Sequence, residues 1–171
     1  MIRSAKPVST RSHISVQTAE FDLAAVIDDL RAANPAIGAI ASFIGLVRDV
    51  NDGAPVATMT LEHYPEMTQK ALAAIVAEAE ERWDLIHVTV IHRVGELHPT
   101  DPIVLVAVAS AHRGDAFQAC EFIMDFLKTR APFWKKEQNP EGSSWVESRA
   151  SDSRAAERWK AWKMVHSTKK Y

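Results

Sequence analysis

A single cysteine, Cys120, is the only thiol in the sequence. It has no partner for an internal disulfide, and that usage fits a reducing, cytoplasmic setting. Apolar runs are short: none approaches the ~20 residues that a membrane-spanning helix needs. The opening "MIRSAKPVSTRS" carries cations with no apolar stretch behind them, so it reads as a loose arm rather than a secretory signal. No glycine-rich phosphate loop appears, which argues against bound NAD or ATP. The seven histidines show no close metal-ligand spacing, and one cysteine cannot build a thiolate zinc site. Neither a cofactor nor a metal is expected. The sequence also has no internal repeat and no low-complexity linker.

What is present suits one globular domain. The 171 residues are enough to bury a core. Hydrophobic residues make up 47% and charged residues 25%, which favours a soluble globular chain over a disordered or fibrous one. The formal net charge of −2 hides an asymmetry. Residues 151–171 hold six Lys or Arg against two Asp or Glu, a local +4 that leaves −6 for the rest. Inside that acidic remainder, "LKTRAPFWKKEQNPEG" crowds Lys128, Arg130, Lys135 and Lys136 around Phe133 and Trp134. Such a cluster points to a local anion site; a nucleic-acid surface would usually colour a whole face.

Periodicity gives the elements. "HISVQTA" alternates as a first strand, and "DLAAVIDDLRAA" has helical spacing that ends before Asn34-Pro35. "AIASFIGLVRD" and "VATMTLEHY" read as strands around the turn "NDGAP". Pro65 opens a helix through Trp83, because proline at the first helical position loses no needed N–H bond. "IHVTVIHRVGEL" alternates as a half-buried strand. "PIVLVAVASAH" is continuously apolar, the mark of a central strand covered on both faces. A third long helix follows and stops at Pro132. Short strands in "FWKKEQ" and "SSWVES" turn at Asn139, Pro140 and Gly142. A final helix carries Trp159 and Trp162. This order predicts an α+β fold and excludes a doubly wound dinucleotide domain. We divide the chain into an arm (1–12), a catalytic domain (13–150) and a basic helical tail (151–171).

The third helix is unusual at both ends. At ~100° per residue it has a wide apolar arc holding Cys120, with Gln118, Glu121, Asp125 and Thr129 opposite. Lys128 falls at the border and Arg130 inside the arc. Compensation of the helix dipole accounts for both cations. Lys128 has a further reading: an ammonium half-buried against apolar side chains has a lowered pKa and serves as acid, base or nucleophile. Lys135 and Lys136 lie on an extended segment with side chains on opposite faces; a solvated, lysine-protected edge strand is the plain alternative. At the other end, His112 and Arg113 close the buried strand, and Gly114-Asp115 begins the helix. Ligands bind beyond strand carboxyl ends, and helix N-termini attract anions. A hydrogen-bonded histidine and a surface ion pair are the alternatives there. Arg48, at another strand end, could clamp a phosphate bidentately, although a lone arginine so placed is usually structural. Glu62 and His63 read as structural or rim residues, and the tryptophans as core and interface.

Five blocks, in order from about His13 to Arg149, carry a resemblance: "FIGLVRD", "LEHYPEMTQKAL", "VTVIHRVGEL", "SAHRGDAF" and "FIMDFLKTRAPFWKKE". Together they resemble the large, catalytic subunit of molybdopterin synthase. The resemblance implies an α/β hammerhead fold with a small antiparallel β subdomain. It implies a sulfurtransferase that converts cyclic pyranopterin monophosphate to molybdopterin. The two sulfurs arrive as a thiocarboxylate on the C-terminal Gly-Gly of a small ubiquitin-like carrier subunit. The assembly it implies is a homodimer of large subunits within a heterotetramer. It places Lys128 and Lys135 in the catalytic pocket, with Lys128 reacting and Lys135 supporting. Arg48, His112 and Arg113 would hold the pterin and its phosphate. Leu46, Val47, Lys136 and Glu137 match the family's pocket backbone, and Arg149 would reach a pocket from a neighbouring chain.

Two inferences come from the residues themselves. Cys120 lies mid-helix in the apolar arc, where cysteines are inert, so this chain should not carry the sulfur itself. His112-Arg113 and Lys128 flank a helix of about 16 residues, or ~24 Å, which no side chain spans. If both ends serve one substrate, one end comes from a second subunit. The rival functions are a non-catalytic module that grips a peptide carboxylate or phosphate, and RNA binding through the basic tail.

Overall fold

The computed structural model describes residues 11–147 and 149–166, with side chains as far as Lys160. Residues 1–10 of the expected arm and 167–171 of the expected tail lie outside the described residues, as does the Trp162 side chain. Arg11 and Ser12 belong to the first strand.

The main sheet is built from β1 (Arg11–Gln17), β2 (Ala39–Leu46), β6 (Leu85–Arg93) and β8 (Pro102–Ser110), in the order β1-β6-β8-β2. β1 runs parallel to β6, and the other pairs are antiparallel. The continuous apolar run becomes β8, an inner strand. Its Val104, Val106 and Val108 face one core, and Leu105, Ala107 and Ala109 face another. The first core packs under α2 (Pro65–Arg82), α3 (Arg113–Arg130) and α4 (Ala150–His166); the second packs under α1 (Leu23–Ala33). Each large side chain buried this way is worth about 1.5–3 kcal/mol over leaving it exposed. α1 starts where the Asp22 carboxylate accepts the Ala25 N–H at 3.2 Å, and α2 starts on Pro65.

A second, antiparallel sheet contains β5 (Thr58–His63), β7 (Gly95–Leu97), β9 (Phe133–Asn139) and β10 (Gly142–Val146), in the order β10-β9-β5-β7. Val47, Met59, Leu61, Leu97 and Ile103 form its small core. β3 (Val50–Asn51) and β4 (Ala54–Pro55) make a separate two-residue hairpin. The α+β class and the additional antiparallel sheet both agree with the expectation. Among the described residues, no helix is long and apolar enough to cross a membrane.

Three details differ from the sequence reading. The alternating stretch ending at Leu97 is two strands, because Gly95 takes φ +87° and turns the chain from the main sheet into the second. β9 is an inner strand between β10 and β5, so it is not a lysine-protected edge. α4 packs into the domain: Trp159 is buried edge-on against Trp83 and Phe122, and its indole N–H donates to Asp125 at 2.7 Å. Arg154, Arg158 and Lys160 of this segment therefore ride on a helix that closes the main core.

Candidate active site

The site forms where the two sheets meet. α3 delivers Lys128 in its last turn, just after the buried Phe126 and Leu127. Pro132 ends the helix, and the Phe133 N–H bonds back to the Ala131 carbonyl at 2.9 Å, a tight reversal into β9. Alternation along β9 then sorts its side chains. Phe133, Lys135 and Glu137 line a cavity of about 360 Å³, within the range of small-molecule sites. On the opposite face, Trp134 packs edge-on against Tyr64, and the Lys136 ammonium lies 5.6 Å from the Trp145 ring centre.

The same cavity takes Leu46 and Arg48 from the end of β2, Met59 from β5, Ile103 from β8, and Arg149 and Asp152 at the start of α4. Four cations and three carboxylates line it, a formal +1. A smaller chamber of about 100 Å³ shares Lys128, Lys135 and Phe133 and reaches inward to Gly45 and His92. A Cβ at Gly45 would sit 2.8 Å from a Val104 methyl carbon, so glycine keeps this end open.

Lys135 is the perturbed cation. Its pKa is lowered to about 8, first by burial, then by the charge of Lys128 and a hydrogen bond with that side chain; Asp152 and Glu137 oppose the shift. Lys128 itself is exposed, so the expected half-buried ammonium is Lys135 instead. Beneath the pair, the His92 ring stacks on Phe133 at 3.7 Å and its Nδ1–H donates to the Arg93 carbonyl at 2.8 Å. Burial lowers its pKa to about 3, with the neighbouring lysine charges adding to the shift and the backbone bond opposing it. It is therefore a neutral wall and not a proton carrier.

Asn51 organises the rim. Its Oδ1 accepts from Arg48 at 3.0 Å and from Arg149 at 2.6 Å, while its Nδ2 donates to both carboxylate oxygens of Glu137 at 3.1 Å. Arg149 also meets Asp52 at 3.1 Å. Arg149 lines the cavity of its own chain.

Of the residues singled out from sequence, Leu46, Arg48, Lys128, Lys135, Glu137 and Arg149 come together here. Four do not. Val47 is buried in the small core and its N–H is spent on the Asp101 carbonyl at 2.9 Å, so it has no donor for a ligand. Lys136 points away. His112 and Arg113 stand exposed at the opposite end of α3, 18 residues or ~27 Å long. Asn51 and His92 were missed. "NDG" reads as a turn and hides the amide's second task, and one histidine in an alternating strand gives no signal of burial.

A family model described as MoaE protein matches residues 16–130. The molybdopterin synthase catalytic subunit of Ralstonia nicotianae is 66% identical over 146 residues, 85% of this chain and 83% of that protein. Among solved structures, the molybdopterin biosynthesis MoaE protein from Burkholderia ambifaria is 56% identical with a TM-score of 0.76, covering 87% of this chain and 98% of that one. Molybdopterin synthase from Staphylococcus aureus is 33% identical with a TM-score of 0.70, covering 77% and 95%.

Proposed function

The chain belongs to the MoaE protein family, that of molybdopterin synthase catalytic subunits, and from that premise we propose how its lysine pair works. The activity is sulfur transfer in molybdenum cofactor biosynthesis. The substrate we assign is cyclic pyranopterin monophosphate. Two sulfurs enter it from the thiocarboxylated Gly-Gly terminus of a small ubiquitin-like carrier.

The observation that supports this reading is the pair itself: two lysines on one cavity wall, the buried one with a pKa of about 8. At pH 7.5 about a quarter of Lys135 is then neutral, enough to accept a proton. Lys128 sits at a helix C-terminus and faces the oxyanion that develops on the carrier's terminal carbonyl. The sequence reading gives Lys128 either proton exchange or oxyanion stabilisation; here it takes the second, and Lys135 takes the first. Arg48 and Arg149 hold the anionic end of the pterin, and the apolar inner chamber admits the narrow carrier tail past Gly45.

His112 and Arg113 enter from a second copy of the chain, because α3 holds them away from their own lysines. The assembly is then a homodimer with a carrier on each large subunit, working in the cytoplasm, where a lone thiol stays reduced. The name catalytic subunit, borne by the relatives, already implies a further subunit. The test mixes this protein with a thiocarboxylated carrier and the pyranopterin. Dithiolene product is expected; its absence with a folded, carrier-bound protein overturns the reading.

A further inference from the structure

We propose that Asn51 is a positioning residue that sets Arg48 and Arg149 as one substrate-facing pair and leaves their charge uncompensated. The inference rests on the reading above, that the cavity takes an anionic pterin.

Both guanidiniums donate to the same Asn51 oxygen, at 3.0 and 2.6 Å. Two like charges are thereby drawn together by a neutral acceptor. A carboxylate in that place would hold them as firmly but cancel one charge. The carboxylate that Arg149 does meet, Asp52, is 82% exposed, where ion pairs are weak. The positive charge of the pair therefore remains available to a ligand.

The amide nitrogen explains why this residue is not an acid. It donates to both oxygens of Glu137, 86 positions away, at 3.1 Å. An aspartate at 51 would set one carboxylate against another. The amide offers an acceptor oxygen to the guanidiniums and, from a separate atom, a donor nitrogen to the carboxylate, which an aspartate cannot do. The contact also has a mechanical role. Among the described residues, β3 and β4 pair only with each other, around Asp52 at φ +49° and Gly53 at φ +83°. The link from Asn51 to Glu137 ties this hairpin to β9, the strand that carries Lys135. The arginine pair and the lysine pair are thus held to one frame.

Two variants in the complete synthase, with carrier bound, test this. Asn51→Asp keeps the shape and adds a charge; Asn51→Ser removes the amide and adds none. Both should raise KM for the pyranopterin, the aspartate by about tenfold or more, with kcat within threefold. Glu137→Gln placed on Asn51→Asp restores a donor facing the carboxylate and the original net charge, so it should recover at least half of the loss on a logarithmic scale. KM unchanged in both single variants, or kcat falling with KM constant, overturns the proposal, as does a swap that recovers nothing. Calorimetric titration with the pyranopterin separates the two readings. Failure of the wild type to bind removes the assigned substrate and this inference with it. Wild-type affinity matched by both variants removes this inference alone.

Discussion

Replacing Lys128 with alanine should damage the site twice, and the two effects separate by pH. The first is loss of a cation facing the developing oxyanion. Removing one such donor typically costs about 10²–10³ in turnover. The second acts through Lys135. Its pKa of about 8 arises first from burial and second from the charge of Lys128, so removing that charge lets the pKa climb back toward 10.5. Burial persists, so the return is incomplete. The neutral amine is the working form, and its fraction at pH 7.5 falls as the pKa climbs. In the wild type, single-turnover product formation should therefore rise with pH through a midpoint near 8. In Lys128→Ala that midpoint should move to higher pH, with a depressed plateau. Lys128→Arg keeps the charge, so the midpoint should stay near 8 and turnover should fall much less than in the alanine variant. A midpoint in the alanine variant that stays put or moves down would refute the coupling. An arginine variant as impaired as the alanine variant would refute the oxyanion role of Lys128.

Lys135→Met should abolish turnover yet stabilise the fold at pH 7. A lysine whose pKa is lower folded than unfolded opposes folding while it must be protonated, and the penalty fades as pH rises from about 8 to 10.5. The shift corresponds to at most about 3 kcal/mol, and ~1–2 after partial solvent contact, or roughly 2–8 °C in Tm at pH 7 that shrinks toward pH 10.5; an equal Tm gain at both pH values would refute it. Cys120→Ala should leave turnover intact, because burial pushes this thiol up to about 11 and its Sγ faces the Val106 carbonyl at 3.8 Å; complete loss of product from a folded variant would contradict this. Mixed dimers of Lys128→Ala and Arg113→Ala chains should regain one intact site each, and verified mixed dimers without activity would count against a site shared between copies.

The main sheet was legible because its signals are local. β8 reads as one apolar run since both of its faces are covered, and α3 declares itself by its period. Its lysine end was legible as well, because proline stops a helix wherever it falls. What escaped depends on contacts distant in sequence. Whether Lys135 is an edge cation or a buried one is decided by β10, which follows it, and β5, some 75 positions before it. The sequence pattern places Lys128 and Lys135 alike among apolar neighbours. Only the pairing of β9 shows which loses its water. The docking of α4 escaped for the same reason: a charged helix reads as a tail until its Trp159 is seen against Trp83 and Phe122.

The placement of the two lysines explains how one short stretch produces two different amines. Lys128 ends a helix, exposed, where the backbone carbonyls favour a cation. Lys135 comes seven residues later on an inner strand, where burial disfavours one. Pro132 and the reversal at Phe133 bring them within a hydrogen bond of each other. Neighbouring charge then adds to the difference that burial began. A continuous helix would have set both lysines on one exposed surface, about two turns apart, with neither perturbed. The proline therefore does more than stop α3. It sets two like charges together, the buried one with its pKa brought down to about 8. It also fixes that pair at the end of α3 away from His112 and Arg113, so a site needing all four groups requires two chains.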